Sequence, residues 1–503
     1  MANLEQSLIA IIIAIGELLS FFVVGELVIR LCRVNLSSTL HKLVFRYWIG
    51  TITYATLWLV LGLLHLLKPI TFVVFTAICI GLLGWIIGSN PKAKLKLVTS
   101  ELCRLLIKYR LITGLASIYG LLQFVSCFRL LPYGDEIQYL WPSPLHWAAS
   151  NTWSASPFRH SDGPILWNIL HTIPALFESN VAAHLINLSV VPMTCLVAVL
   201  IGKKLGLPGS LSAIIPLGIP AFMNTSSTCS TDVPSSGLTV YVIYLGILGV
   251  RQLKLKNLSI PAFLLFASLY SVKLTAITVL LPFSLLALRS ELSGKSVLSV
   301  ATLRSFGVYL LKVAYMPVLL SLGGWAIRTF MLTGHFYDNR NVMLATGPDH
   351  WLWHTGGEIA RIPNLAELLI IPALPFLLPI IGQTEPYGAR TGLAALMLIP
   401  AVLMGVNQGL KRRGFSNVAN LAIWIIVSSW ITYCLVSLLI PKTRYSGYVW
   451  PVLTLASLAF VNQTSGQSKA KVYNVLTMIL VFVSIFFDQA RIQVSLLLKV
   501  ILQ

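Results

Sequence analysis

The sequence predicts an all-α polytopic membrane protein. Hydrophobic residues make up 56% of the 503 residues and charged residues only 10%, whereas charged residues are about a quarter of an ordinary soluble protein. The mean hydropathy is +0.83. Apolar stretches of about 20 residues, the length that a helix needs to cross the hydrocarbon, recur from Leu8 to Phe487. The first, residues 8–29, has no basic leader or small-residue cleavage site, so we predict a retained helix.

The net charge of +20 indicates membrane topology rather than a nucleic-acid partner. Lys and Arg are enriched in cytoplasmic loops, and here they cluster at residues 30–46, 92–110, 203–204, 251–256, 289–304, 411–413 and 469–471. With these clusters inside, both chain ends fall outside. Three outer segments then face the opposite side: 132–180, 224–234 and 330–390. The sequence thus predicts a multi-pass protein of an inner or plasma membrane, surrounded by membrane lipids.

Counting apolar segments between the basic clusters predicts about 12 to 14 transmembrane helices. Their cores lie near residues 8–29, 48–67, 69–88, 111–131, 181–202, 209–224, 235–250, 258–272, 273–289, 305–329, 391–410, 417–439, 446–461 and 472–488. Residues 366–381 are also apolar, but a full span there would put the basic residues 411–413 outside. Because this stretch is rich in proline, we assign it to an outer-side juxtamembrane domain as an interfacial or re-entrant element.

Residues 258–289 are too long for one apolar helix and short for two, which predicts a helical hairpin. Lys273 lies at its middle, in SVKLTA. A lysine at the centre of a bilayer is costly, whereas a lysine at the outer turn of a hairpin reaches water and the headgroups. The hairpin therefore predicts that Lys273 lies on the outer side of the membrane.

The first outer segment carries the adjacent acids Asp135 and Glu136, in LPYGDEIQYLW. Only 16 residues of the chain are acidic, so a pair at a membrane exit is informative. Aromatic residues follow it closely, and rings stack on sugar faces but also populate membrane interfaces in general. Of these aromatics, Tyr139 is the strongest candidate for a substrate contact.

Five segments, in order along the chain, resemble the GT-C superfamily of integral-membrane glycosyltransferases, specifically its protein O-mannosyltransferase-like and aminoarabinose-transferase-like branch. They are GDE with a nearby tyrosine (134–139), STDVPSSGL (230–238), SVKLTA (271–276), RTFMLTGHFYDN (328–339) and TRYSGYVWPVLTL (443–455). The chain departs from the pattern at His335, where asparagine and a following proline are usual. The resemblance implies a GT-C-like helical bundle over residues 111–462, between an N-terminal membrane region (1–110) and a C-terminal helix and tail (463–503).

The resemblance further implies transfer of a sugar from a polyprenyl-phosphate donor to a lipid, glycan or protein acceptor at the outer (periplasmic or lumenal) face. Asp135 matches the catalytic acid of the family and would take the proton of the acceptor hydroxyl as general base. Glu136 would bind the acceptor, hold a metal or act as the base itself. The alternative for either residue is a helix cap.

The leaving phosphate requires positive charge, and Lys273 and Arg444 are the predicted donor-phosphate ligands. An arginine binds phosphate with a bidentate fork, whereas a lysine acts as a point charge. Arg328 and Arg340 are weaker candidates. Each of these cations is alternatively an interfacial anchor whose charged end reaches the headgroups.

The remaining predicted substrate contacts are Asp162, Asp232 and Tyr445. Asp232 would orient an acceptor or hold a divalent cation with Asp135, since hard cations prefer oxygen ligands. It is equally suited to cap the helix that begins near Pro234. A divalent cation is the one candidate cofactor, and no His or Cys spacing indicates a metal site.

Two other functions compete with glycosyl transfer. One is a catalytically silent GT-C-like subunit of a membrane complex. The other is a small-solute or lipid transporter, which would place broken helices and charged groups near the midplane of the bilayer. The evident intramembrane acids, Glu17 and Glu26, lie outside the region that resembles the family.

Overall fold

The structure is a computed structural model, and it describes residues 4–36, 38–87, 110–128, 140–154, 166–223, 226–255, 257–292, 299–333, 354–355, 358–359, 371–373, 375–376, 392–410, 414–439 and 447–486. These residues are almost entirely helical. The α-helices are α1 Leu4–Leu31, α2 Thr39–Leu63, α3 Pro69–Ile87, α4 Arg110–Ser126, α5 Pro142–Ser150, α6 Leu166–Ala175, α7 Asn180–Leu188, α8 Val190–Lys204, α9 Gly209–Ile214, α10 Pro220–Met223, α11 Asp232–Leu255, α12 Ser259–Val272, α13 Leu280–Leu292, α14 Val300–Leu310, α15 Met316–Thr333, α16 Leu398–Leu410, α17 Asn417–Leu439, α18 Val449–Ser465 and α19 Gln467–Ser484.

Shorter elements complete the described part of the chain. Short 3-10 helices lie at Pro216–Gly218, Leu274–Val279, Ile371–Ala373 and Leu393–Met397, and a π-helical turn at Leu311–Tyr315 joins α14 to α15. Two-residue strands, β1 His354–Thr355 and β2 Glu358–Ile359, form an antiparallel pair in which His354 faces Ile359.

Seven of the described helices are long and apolar enough to cross a membrane, and these are Leu4–Leu31, Thr39–Leu63, Asn180–Lys204, Asp232–Gly249, Val300–Gly324, Leu393–Leu410 and Asn417–Ser437. Four shorter apolar helices accompany them, at Pro69–Gly84, Ser117–Ser126, Gly209–Gly218 and Ser259–Val272. The chain is therefore an all-α polytopic membrane protein, as its composition predicts.

Helices α1 and α2 cross at two glycines. The Cα of Gly25 lies against the backbone carbonyl of Arg46, and the Cα of Gly50 against that of Phe21, so closely that a Cβ at either glycine would overlap the opposite backbone. Small residues at such crossings let apolar helices approach within a membrane, where packing replaces the hydrophobic effect. Beside this crossing, Glu26 forms ion pairs with Arg30 at 3.0 Å and with Arg46 at 2.6 Å.

The segment around α5 docks on the opposite end of α2. The indole Nε1 of Trp153 donates to the carbonyl of Leu59 at 2.8 Å, and the hydroxyl of Thr152 donates to the carbonyl of Gly62 at 2.9 Å. Both carbonyls lie at the C-terminal end of α2, where the Gly62 carbonyl also accepts from the backbone N–H of His65. Residues from the predicted first outer segment thus cap the end of α2 that lies away from Arg46.

The predicted hairpin at residues 258–289 is broken where the sequence indicates. α12 ends at Val272, Lys273 is extended (φ −161°, ψ 136°), and the 3-10 turns Leu274–Val279 lead into α13. α12 has 14 residues, which corresponds to about 21 Å of rise against a hydrocarbon thickness of about 30 Å. A helix of this length does not span the hydrocarbon alone.

Lys273 lies beside the middle of α2 rather than at its end. Val272 lines a small apolar cavity together with Trp48, Thr51 and Ile52 of α2, and Gly237 of α11 touches the ring of Trp48. The predicted break point is observed, and the side of the membrane on which Lys273 lies stays a prediction.

Of the predicted interfacial element at residues 366–381, the structure describes 371–373 and 375–376. The carbonyl of Pro372 accepts a hydrogen bond from the indole of Trp430 at 3.1 Å, and the ring of Phe376 lies 6.1 Å from that of Trp430. Trp430 lies within α17, away from both of its ends. The assignment of the whole stretch to an outer-side domain extends beyond the described residues and stays a prediction.

Candidate functional site

A loop rich in small hydroxyl residues, 226–231, precedes α11 and is buried in the bundle. Ser226 and Ser227 are fully buried, and Thr228 and Ser230 are each 8% exposed. Their hydroxyls bind the backbone of the same loop: Ser230 N donates to Thr228 Oγ1 at 3.2 Å, and Asp232 N donates to Ser230 Oγ at 3.1 Å. Such local bonds satisfy backbone groups that a helix does not pair, so an irregular loop is tolerated at this depth.

Asp232 begins α11, and its carboxylate forms an ion pair with the ammonium of Lys273. The Asp232 side chain is 7% exposed and that of Lys273 is 18% exposed. The extended backbone at Lys273 turns the chain out of α12 at this point. Two candidate site residues from distant parts of the sequence therefore form one buried pair, with the acid in the first turn of a helix, where the helix dipole also favours negative charge.

Polar side chains from neighbouring helices hold the loop in place. Ser226 donates to the side-chain oxygen of Gln123 in α4 at 2.9 Å, and Gln123 donates in turn to the hydroxyl of Tyr119 at 2.6 Å. On the other side, the amide of Asn187 in α7 donates to the carbonyl of Thr228 at 2.6 Å. These groups are buried, and buried polar networks with satisfied partners fix a unique local structure.

Asn187 also connects the loop to α6. Its side-chain oxygen accepts a hydrogen bond from the indole Nε1 of Trp167 at 3.0 Å. One helical turn away, Nδ1 of His184 lies 2.9 Å from the carbonyl of Cys127. Hydrogen bonds thus connect the loop to α4 and α7, and through Asn187 to α6. They hold the backbone just before Asp232, which carries the acid of the ion pair.

The residues before and after Lys273 contact two other helical segments. The hydroxyl of Tyr448, which immediately precedes α18, forms a hydrogen bond with the hydroxyl of Thr278 in the turns that follow Lys273. The hydroxyl of Ser271, at the end of α12, lies 2.6 Å from that of Ser321 in α15. The chain on either side of Lys273 therefore contacts the start of α18 and α15.

Most predicted site residues fall outside the described residues. They are Asp135, Glu136, Tyr139, Asp162, Arg444 and Tyr445, together with the weaker candidate Arg340. The backbone of Arg328 lies in α15, but its side chain is not described. The predicted roles of all these residues stay predictions, and Lys273 with Asp232 is the pair that the structure brings together.

The ion pair makes it less favourable for Asp232 to bind the predicted divalent cation. Within the part of the chain that the structure describes, no three His, Cys, Asp or Glu side chains are grouped as metal ligands. A cation on Asp232 would share its carboxylate with the ammonium of Lys273, and two positive charges at one carboxylate repel each other. The electrostatics at Asp232 therefore favour the ion pair over a shared metal.

The sequence analysis did not predict three residues of the site, which are Gln123, Asn187 and Thr228. The two amides could have been predicted, because an amide side chain in an otherwise apolar membrane helix is costly unless it is paired inside the bundle. Gln123 and Asn187 both interrupt apolar helices in this way. No family model, curated protein or solved structure matches this chain.

Proposed function

We propose that the protein is a membrane glycosyltransferase of the GT-C type, which moves a sugar from a polyprenyl-phosphate donor to an acceptor at the outer, non-cytoplasmic face of the membrane. The proposal includes a bundle of about 12 to 14 transmembrane helices with an outer-side juxtamembrane domain. The main support for this proposal is the ion pair between Lys273 and Asp232 at a break between helices. Lys273 is also the residue that the resemblance implies as a phosphate ligand.

The ion pair leaves Lys273 able to bind a phosphate. An ammonium has three N–H donors and no acceptor, so one donor can serve Asp232 while others bind phosphate oxygens. Asp232 then positions Lys273 and keeps its charge at a depth where an unpaired lysine would be costly. In this proposal Asp232 is a positioning residue rather than an acceptor ligand.

Arg444 supplies the second cation of the proposed phosphate site. The Tyr448–Thr278 hydrogen bond ties the segment that follows Arg444 to the turns that follow Lys273. This contact supports a shared site because it limits how far apart the two segments lie. A guanidinium adds bidentate binding to the point charge of the ammonium.

The proposed reaction is a displacement at the anomeric carbon. The acceptor oxygen forms a bond to that carbon, the bond from carbon to the phosphate oxygen breaks, and its electrons leave with polyprenyl phosphate. Asp135 takes the proton of the acceptor hydroxyl, and Glu136 binds the acceptor or substitutes as the base. Tyr139, Asp162 and Tyr445 contact the sugar or acceptor in this proposal.

Release of polyprenyl phosphate tests the proposal directly. Purified full-length protein is given a polyprenyl-phosphate sugar and candidate acceptors, and the wild type is expected to release polyprenyl phosphate and form a glycosylated product. Asp135→Asn should abolish the release while the melting temperature is unchanged. Glu178→Gln is the matched control, because Glu178 is an exposed acid of the same outer segment, and it should retain full activity. Undiminished release by Asp135→Asn removes Asp135 as the base.

A transporter of a small solute or lipid is the second candidate, and one observation favours it. A paired charge lies at a break between helices beside the middle of α2, and transporters commonly build binding sites from discontinuous helices at that depth. Sealed vesicles separate the two functions. A transporter moves its solute across the membrane without a covalent product, whereas the proposed transferase converts donor to product in detergent as well.

A further inference from the structure

A buried carboxyl group lies outside the proposed transferase site, at the centre of α1. Glu17 is fully buried, while its neighbours Ile12 and Ile15 on α1 are each 60% exposed on the face that meets lipid. Both carboxyl oxygens of Glu17 lack a hydrogen-bond partner among the described residues. The side chain therefore points into the unit formed by α1, α2 and α3, away from the lipid.

Polar side chains of α2 and α3 lie near Glu17. Tyr54 on α2 is fully buried and lies close enough to Glu17 for an electrostatic interaction. The buried hydroxyl of Thr76 on α3 has no hydrogen-bond partner among the described residues, and it lies beside Gly16, the residue before Glu17. Buried polar atoms without partners are rare in native proteins and call for an explanation by function, water or an ion.

The nearby cations do not neutralise Glu17. Arg30 and Arg46 are both paired with Glu26, which lies nine residues further along α1, or about 13 Å. An ionised carboxylate without a partner is strongly disfavoured in an apolar interior, and such a group takes up a proton instead. Burial and the absence of a described cation at Glu17 therefore favour its neutral form.

Other titratable groups on the helices packed against α1 have different surroundings. They are Tyr47 on α2, which bonds Ser189 at 2.8 Å, Cys79 on α3, His171 on α6, whose ring packs edge-on against Trp167, and His184 on α7, whose Nδ1 is 2.9 Å from the carbonyl of Cys127. Tyr47 interacts electrostatically with Glu17, as Tyr54 does. Glu17 is thus a carboxyl group with two buried tyrosines near it, in an interior that is otherwise mainly apolar.

We propose that Glu17 is a proton-binding site within the membrane, whose carboxyl group takes up and releases one proton beside the hydroxyls of Tyr54 and Thr76. Uptake of the proton removes the charge of the buried carboxylate, and release restores it. The site is independent of the proposed glycosyl transfer, because it lies in α1 to α3, outside the region that resembles the transferase family.

A hydrophobic carbodiimide tests this site, because it reacts with protonated carboxyl groups in apolar surroundings. The acid proton moves to a carbodiimide nitrogen, a carboxyl oxygen adds to the central carbon, and an acyl shift to nitrogen leaves a stable N-acylurea. Full-length protein in detergent is treated with dicyclohexylcarbodiimide over a range of pH, and the adduct is located by peptide mass spectrometry. We expect one adduct on Glu17, with labelling that falls about tenfold for each pH unit above its midpoint.

Two variants test whether the adduct forms on Glu17 itself. Glu17→Gln should lose the adduct, and Glu26→Gln should retain it, because Glu26 is ion-paired with two arginines. The location and pH dependence of the adduct are measured on the wild-type protein. The test therefore remains valid even if Glu17→Gln does not fold. Absence of an adduct on Glu17, labelling that does not vary with pH, or protection of Glu17 by sodium ions instead of by high pH would each overturn the proposal.

Discussion

Replacement of Lys273 by methionine tests whether the buried ion pair stabilises the fold. The change leaves the carboxylate of Asp232, which is 7% exposed, without its ammonium. Two unit charges about 4 Å apart interact by roughly 4 kcal/mol at an effective dielectric constant of about 20, and removal of one partner of a buried pair costs about 3 to 5 kcal/mol. Because the Lys273 side chain is 18% exposed, we expect a loss near the lower limit, about 3 kcal/mol.

The assay compares four proteins in detergent: wild type, Lys273→Met, Asp232→Asn and the double variant. Each single variant should unfold at a clearly lower temperature than the wild type. The double variant should recover most of the loss, because it leaves no unpaired charge. Since a many-helix protein does not unfold in two states, the order of the midpoints is the measured quantity. Lys312→Met is the matched control, because Lys312 is exposed, and its midpoint should stay close to that of the wild type.

Additive losses would refute this reasoning. If the double variant is as unstable as the sum of the two single variants, Lys273 and Asp232 do not stabilise each other, and double-mutant cycles detect this directly. Single variants indistinguishable from Lys312→Met would refute the burial of the pair as well. Either result would also remove the support that the pair gives to a phosphate site at Lys273.

Three further predictions follow from the packing, the topology and the proposed reaction. Gly50→Ala should lower the melting temperature, since its Cβ would overlap the backbone of α1 and overpacking costs about 1 to 3 kcal/mol; Gly81→Ala, which faces open space, should be neutral or slightly stabilising. Cysteines placed beside Asp135 and beside Lys411 should react with an impermeant reagent from opposite sides of sealed vesicles, and labelling from one side would contradict the topology. Arg444→Ala should slow turnover more than it weakens donor binding, as measured by product release and donor titration, and the reverse order would exclude Arg444 as a ligand of the leaving phosphate.

Helix positions were predictable where the sequence changes sharply from apolar to polar. The predicted core at 258–272 agrees with α12, Ser259–Val272, because Lys273 interrupts an otherwise apolar run. The predicted core at 48–67 misses the start of α2 at Thr39. Its first turns are polar and basic, so hydropathy excludes them, although Ser38 caps the helix by accepting a bond from His41 N. A capping signal would have extended the prediction.

The predicted single span at 181–202 is confirmed by one 25-residue helix that is long and apolar enough to cross a membrane, Asn180–Lys204. Within it, α7 ends at Leu188 and α8 begins at Val190, but Ser189 between them keeps helical backbone angles (φ −61°, ψ −21°). Pro192 lies in the first turn of α8, where a proline is tolerated because it lacks a backbone N–H. Hydropathy averages over this junction, so it indicates the span but not the local change in hydrogen bonding.

The contents of the site were less predictable than its helices. The sequence singled out Lys273 and Asp232 separately, each from its local setting at a predicted helix end. Their pairing depends on how α11 and α12 pack, which is a non-local property that neither segment encodes alone. Gln123 and Asn187 support the loop before Asp232 for the same reason, since their partners Ser226 and Thr228 lie far away in the sequence.

Charge balance at the pair distinguishes the two proposed functions. Lys273 and Asp232 together are neutral, so a bound polyprenyl-phosphate sugar, which is a phosphate diester, adds one negative charge, and the released monoester adds up to two. In a low-dielectric site each added charge needs a compensating cation, so a transferase needs a second cation most when its product forms, and Arg444 fits that need. A transporter releases its solute chemically unchanged, so the charge of the bound ligand does not rise during the cycle and no extra cation is needed. A cation that matters more for turnover than for donor binding therefore supports transfer over transport.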